Sequence, residues 1–270
     1  METYRLKNII LVILLLLNVF LLLLVASRGY AQHRSAQNLI DQTVLFLQNS
    51  NVSIDPELLQ GQDTAFTYSY ERNMEEEQAF TAALLGTLVK QQDAGGGTQQ
   101  YTFTGGSAVF RSNGAFQLTI AAPELQVEKP EVFVKKYCPA QYTFTAAETV
   151  GERTVITATP YVDNLPVYSA AMEFVLQDGL LCSASGFFIP ASGSTIGDAQ
   201  AIGKCSSVIY LIDYCNEAGR ICNTISEISS GYVLQSTASV PLLLSPVYCI
   251  DTNTYRYYVD AVTGHVSVAK

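Results

Sequence analysis

The longest unbroken apolar stretch lies at the start of the chain. Residues Ile9 to Ala26 are eighteen in a row without a charge, and only Asn18 among them is polar. As a helix rising about 1.5 Å per residue, the run covers roughly the thickness of a bilayer core. It predicts a transmembrane helix, because in lipid the backbone must satisfy its own hydrogen bonds. A cleaved signal peptide is the alternative, with Arg5 and Lys7 as its basic start and a cut before Gln32. The run is longer than the usual apolar core of such a peptide, and Gly29-Tyr30-Ala31 is a poor cleavage site, so retention is expected. Arg28 and Arg34 follow the run, which weakens the basic-residue bias. The size of the C-terminal part points to a cytoplasmic N-terminus and a single pass through the cell membrane. Asn18 either bonds to its own helix or to a neighbouring transmembrane helix. Asn18 and Phe20 are the expected contacts with a transmembrane partner.

Beyond the run, the spacing of apolar residues changes from segment to segment. Residues 28–50 predict a helix through Leu39, Ile40, Val44 and Leu47. Residues 51–62 read as a loop around Asp55-Pro56. Residues 64–71 alternate Phe66, Tyr68 and Tyr70 and predict a strand. Asn73 and Glu76 have capping-box spacing, opening a helix with Phe80, Leu84, Leu85 and Leu88 on one face. Glu75, Glu76 and Glu77 complement the positive end of that helix. Gly95-Gly96-Gly97 lacks the ending of a phosphate loop and reads as a flexible connection.

Strands are predicted at 100–104, 107–111 and 115–121, with a turn at Asn113-Gly114. A short helix follows Pro130. Strands resume at 141–148 and 152–161, then at 167–176 and 180–187 around Asp178-Gly179. Residues 198–214 predict a helix through Ala201, Ile202, Cys205, Val208, Ile209 and Ile212. Residues 221–235 are strand-like, and strands at 247–250, 255–261 and 265–268 end the chain, the last two joined at Thr263-Gly264. A helix followed by an antiparallel meander thus occurs near 73–121 and again near 198–268. The expected fold is α+β: an N-terminal transmembrane helix followed by tandem units, each a helix packed on an antiparallel sheet. The expected divisions are an anchor at 1–27, a membrane-proximal unit at 28–122 and a C-terminal unit at 123–270.

A formal net charge of −9, with no basic stripe, argues against nucleic acid as a partner. Cys138, Cys182, Cys205, Cys215, Cys222 and Cys249 read equally as disulfide partners or as small buried hydrophobes, and spacing selects no pairing. His33 and His265 make no metal-binding pair. The chain lacks a Gly-x-Ser-x-Gly elbow and has no Trp to stack a sugar ring. A Cys nucleophile with His265, or a scattered pair of carboxylates, are enzyme readings without a supporting motif. The expectation is a protein that is not an enzyme and has no cofactor. Tyr255, Tyr257 and Tyr258 could form a ligand platform, but strand alternation favours core and cross-strand positions.

The C-terminal residues carry a resemblance. Leu244-Ser-Pro-Val-Tyr-Cys-Ile250, a polar turn and Tyr257-Tyr-Val-Asp-Ala-Val-Thr-Gly-His-Val266 resemble the closing hairpin of PepSY-like domains. Ile225-Ser-Glu-Ile-Ser-Ser-Gly-Tyr232 and the run Ile10 to Leu24 resemble the corresponding parts of YycI-like (YycH/YycI) regulatory proteins of low-GC Gram-positive bacteria. The cysteines and the Tyr in place of a Trp at Tyr248 depart from that pattern. The resemblance implies tandem PepSY-like units and a two-component system controlling cell-wall metabolism. The chain would bind the transmembrane and extracytoplasmic regions of a WalK-type sensor histidine kinase, alongside a YycH-like protein. The alternative is a PepSY-like module that inhibits a protease or binds a ligand without a kinase.

Overall fold

The computed structural model describes residues 17, 18, 20–22, 34–61, 65–199, 201–235 and 242–269. Among the described residues, four α-helices flank the strands: α1 (34–49), α2 (Met74–Leu85), α3 (Pro130–Tyr137) and α4 (Lys204–Glu217). The strands are β1 (Ser53–Ile54), β2 (Ala65–Tyr70), β3 (Leu88–Gly95), β4 (Thr98–Phe103), β5 (Gly106–Phe110), β6 (Ala115–Ile120), β7 (Tyr142–Val150) and β8 (Arg153–Val162). They continue with β9 (Leu165–Pro166), β10 (Met172–Gln177), β11 (Leu180–Phe187), β12 (Ser194–Ala199), β13 (Thr224–Gln235), β14 (Leu242–Thr252), β15 (Arg256–Asp260) and β16 (Val266–Val268). Strand residues predominate.

The strands form two large sheets. One runs β3-β4-β5-β6-β11-β10-β8-β7, with β9 added beside β8. Its local hairpins follow from turn chemistry. At Asn113-Gly114 the Arg111 N–H bonds to the Ala115 carbonyl at 2.9 Å and closes β5 onto β6. Asp178 and Gly179 both have positive φ, the backbone of a two-residue turn whose twist suits the flanking strands β10 and β11. Phe80 and Leu85 of α2 and Phe133 and Val134 of α3 pack on this sheet against Tyr101, Phe110, Phe116, Leu118, Ile156 and Phe174. Rings carry much of the contact: Phe110 stacks on Phe116 with centroids 5.4 Å apart, and Phe133 meets Phe174 edge-on at 5.1 Å. Burying each such side chain contributes about 1.5–3 kcal/mol.

The other sheet runs β1-β13-β14-β15-β16 and also holds β2 and β12. Its centre is β14. One edge of β14 pairs along its length with β13, and the other pairs with β2 at Leu242–Leu244 and with β15 at Val247–Asp251. Ile40 and Leu47 of α1 and Val208, Leu211 and Ile212 of α4 cover Tyr248, Ile250, Tyr257 and Val259 on one face.

This arrangement overturns the expected fold of consecutive units, each a helix packed on its own antiparallel sheet. Strands β6 and β11, from either side of residue 122, are hydrogen-bonded neighbours, and β2 joins a sheet whose other main strands follow residue 193. The physical reason is that apolar alternation fixes which face of a strand is buried but not which strand takes its open edge. No helix among the described residues is long and apolar enough to cross a membrane. Most of Ile9–Ala26 lies outside the described residues. Leu17, Asn18, Phe20, Leu21 and Leu22 are described, and they are helical and exposed.

Smaller departures have local causes. In α1, Ile40, Thr43 and Leu47 face the core while Leu39 is exposed. Helix α2 stops at Leu85 because Gly86 takes φ 84°, and Leu88 opens β3 instead of extending the helix stripe. The three glycines at 95–97 form the tight β3–β4 turn. The helix predicted from 198 begins at Lys204, and residues 194–199 pair with β2.

Candidate functional site

The two sheets meet along a seam lined by Tyr70, Val167, Ala170, Ile189, Tyr232, Leu242 and Leu244. Its backbone link is the segment after β9. Val167 bridges to Tyr232, the Tyr168 N–H donates to the Tyr232 carbonyl at 2.9 Å, and the Leu234 N–H donates to Ser169 Oγ at 2.7 Å. Gly231 lets this segment approach. A Cβ there would lie 2.4 Å from a Tyr168 ring carbon and 2.7 Å from the Pro166 oxygen.

Polar groups gather at one end of the seam. Asp163 and Asn164 turn the chain from β8 to β9 with φ 50° and 62°. There the Tyr68 hydroxyl, on β2, donates a hydrogen bond to the Asp163 carboxylate. Tyr68 also meets Tyr232 edge-on, with ring centroids 5.7 Å apart. The bond to Asp163 and then burial push the Tyr68 phenol up, and burial with the nearby Asp163 charge pushes Tyr232 up to about 12. Tyr70 is raised for the same two reasons. At neutral pH all three phenols therefore keep their protons, and Tyr68 donates to Asp163. Beside them a groove of about 580 Å³ is lined by Ala140, Gln141, Thr143, Tyr161, Asp163 and Asn164.

On the sheet surface next to the seam, Tyr168 stacks on Tyr258 at 5.5 Å, and their neighbours include Ser229, 3.0 Å from the Tyr168 hydroxyl. Arg256 pairs in bidentate fashion with Asp251, at 2.6 and 2.7 Å. This array presents hydroxyls, a guanidinium and a carboxylate to a polar ligand or protein surface. It orients no nucleophile beside a base. Among the described residues no three His, Cys, Asp or Glu side chains could jointly hold a metal ion.

The three tyrosines singled out by sequence do not form one platform, although the Tyr255 ring meets that of Tyr257 edge-on at 6.1 Å. Tyr257 is buried in the core, Tyr258 lies on the opposite face against Tyr168, and Tyr255 is exposed. His265 is exposed in the β15–β16 turn, and His33 lies outside the described residues. All six cysteines are free thiols, four of them buried. Asn18 and Phe20 stand far earlier in the chain than the seam residues, on an exposed helical stretch. Sequence reading missed Asp163 and Tyr232 as partners of Tyr68. The dipeptide Asp163-Asn164 is itself a turn signal and marks the position, whereas a contact across 95 residues leaves no local signature.

No protein-family model matches the chain, and no curated protein does. Among solved structures, an uncharacterized protein from Eubacterium rectale ATCC 33656 superposes with a TM-score of 0.48 at 13% identity, over 81% of this chain and 90% of that one. The Bacillus megaterium YpeB C-terminal domain superposes with a TM-score of 0.41 at 10% identity, over 74% of this chain and 99% of that one. Likenesses at this level bear on neither the family nor the activity of this chain.

Proposed function

We propose that this chain is a non-enzymatic regulator, held at a cell membrane by its N-terminal apolar segment, that adjusts a WalK-type sensor histidine kinase in the manner of YycI-like proteins. One observation carries the reading. Leu17, Phe20, Leu21 and Leu22 are 55%, 61%, 49% and 69% exposed. Large apolar side chains so closely grouped need an apolar environment that water does not supply. Lipid together with the membrane helices of a kinase supplies it, and Asn18 among them offers an amide to a partner helix.

In this reading the two sheets lie outside the cytoplasm and meet the kinase ectodomain or a YycH-like protein. Regulation requires unequal affinity for two kinase states, and a tenfold difference corresponds to about 1.4 kcal/mol. The test is kinase output, read from a target promoter, in cells carrying Asn18→Leu and in cells lacking residues 28–270. Both changes are expected to shift output. Unchanged output in both strains rejects the proposal.

A further inference from the structure

Strand alternation builds the groove at the end of the seam. Tyr142 of β7 and Pro160 of β8 are register partners, and both are buried. One residue along, the Tyr161 N–H donates to the Gln141 carbonyl at 2.8 Å, so Gln141 and Tyr161 lie side by side. Successive side chains point to opposite faces, which turns Gln141, Thr143 and Tyr161 away from the core. Asp163 and Asn164 follow in the β8–β9 turn, and with Ala140 these residues enclose about 580 Å³. That volume is within the range of small-ligand sites.

Two acceptors of the groove are held from outside it. Tyr68 donates to Oδ2 of Asp163, and Gln141 Nε2 donates to the Ile189 carbonyl at 2.7 Å, which fixes its amide. Among the described residues, Asp163 Oδ1, Gln141 Oε1, the Thr143 hydroxyl and the Asn164 amide bond to no protein group. Tyr161 is 36% exposed. This set selects a chemistry. No Lys or Arg lines the groove to balance a phosphate or carboxylate. Fixed acceptors call for donors, while Asn164 supplies donors of its own. An ammonium ligand satisfies the acceptors and leaves the Asn164 donors unmet, whereas sugar hydroxyls both donate and accept. One exposed ring beside them offers a flat apolar face to the C–H groups of a pyranose.

We propose that this groove binds a neutral glycan, with Tyr161 against the face of one sugar ring and Asp163, Gln141, Asn164 and Thr143 bonded to its hydroxyls. The same sheet face continues past Thr143 to Thr145 and Thr159, whose hydroxyls lie 3.0 Å apart. A chain of sugars therefore finds further hydroxyls along the strands. Asp163 is the one carboxylate lining the groove, so no second carboxylate stands by to hydrolyse the glycosidic bond. The sugar is held and released unchanged. The groove is formed by the sheets, apart from the N-terminal segment on which the kinase reading rests.

The test uses the full chain in a detergent without a sugar head group. Cellotetraose, maltotetraose and the tetramer of β-1,4-linked N-acetylglucosamine are each titrated to millimolar concentration. Saturation-transfer NMR from protein to sugar reads the binding. At least one of the three is expected to bind, and Tyr161→Ala and Asp163→Asn should each weaken it about tenfold or more. Asn tolerates the positive φ of position 163, so Asp163→Asn keeps the turn. If Tyr161→Ala fails to fold, seen as a lowered unfolding midpoint, Asp163→Asn decides alone. No transfer to any of the three sugars overturns the proposal. So does wild-type affinity in Asp163→Asn, or in a folded Tyr161→Ala.

Discussion

Arg72 and Glu77 form an ion pair in which Nε lies 2.6 Å from Oε1 and the Glu77 side chain is only 4% exposed. Arg72 also donates to the Gly97 carbonyl at 2.6 Å, and the Tyr101 hydroxyl donates to Glu77 at 3.1 Å. The first turn of α2 is thereby tied to the β3–β4 turn. Removing one member strands the other charge in a poorly hydrated place. Arg72→Met is expected to lower unfolding free energy by about 3–5 kcal/mol, and adding Glu77→Leu should restore most of it. Urea denaturation of the two variants decides. A loss below about 1 kcal/mol in Arg72→Met means the pair is solvated and the argument fails.

Gly231→Ala tests the seam. The added methyl group meets the Tyr168 ring and the Pro166 carbonyl inside normal contact distance. Overpacking of this kind costs about 1–3 kcal/mol. Thermal unfolding should register a lower midpoint, only partly recovered by Tyr168→Ala because the Pro166 oxygen stays in place. An unchanged midpoint in Gly231→Ala shows that the two sheets do not meet as described.

Alkaline pH should weaken the fold. Burial holds Tyr101, Tyr168 and Tyr232 up to about 12, against an ordinary value of 10.0. Between those values the unfolded chain releases phenolic protons that the folded chain keeps. Fewer protons on the unfolded state make the slope of stability with pH negative. The stabilisation is fully present below pH 10 and is lost as pH rises towards 12, at up to about 1.4 kcal/mol per pH unit for each deeply buried tyrosine. Denaturation curves across that range measure it. In Asp163→Asn, the ultraviolet titration of Tyr68 should move to lower pH, since the hydrogen bond to Asp163 is the main cause of its rise.

The cap of α2 offers a smaller and cleaner change. The Asn73 side-chain oxygen accepts from the N–H groups of Glu75 and Glu76, and its amide donates to the Glu76 carboxylate at 2.8 Å. Asn73→Ala should cost about 1 kcal/mol, and Asn73→Asp should retain most of the cap. Equal losses in the two variants on chemical denaturation would point to packing at this position instead of capping.

Local chemistry was legible wherever a short segment decides its own conformation. Asn73 caps α2, Asn113-Gly114 and Asp178-Gly179 turn their hairpins, and Tyr257 and Tyr258 fall on opposite faces of β15 as alternation requires. Strand β12 was hidden because Ser194–Ala199 is an edge segment whose single large apolar residue, Ile196, is half exposed. Strand β3 was hidden because its residues are exposed throughout and lack an inward-facing pattern. Strand pairings beyond these local hairpins, and the seam, were not legible at all. The contacts of Tyr68 with Asp163 and of Val167 with Tyr232 join positions far apart in sequence, and nothing near either residue names the other.

The place of β2 on the edge of β14 bears on how the molecule is made. On a ribosome, Ala65–Tyr70 emerges long before Leu242–Leu244, the residues it must join. Until those later segments have been made, that strand has neither of its native neighbours, β12 or β14. Folding that depends on such distant pairings is slow, and an unmatched strand invites association with other chains. The nascent protein therefore gains from a chaperone or a quiet surface that keeps this early segment apart until β12 and β14 arrive.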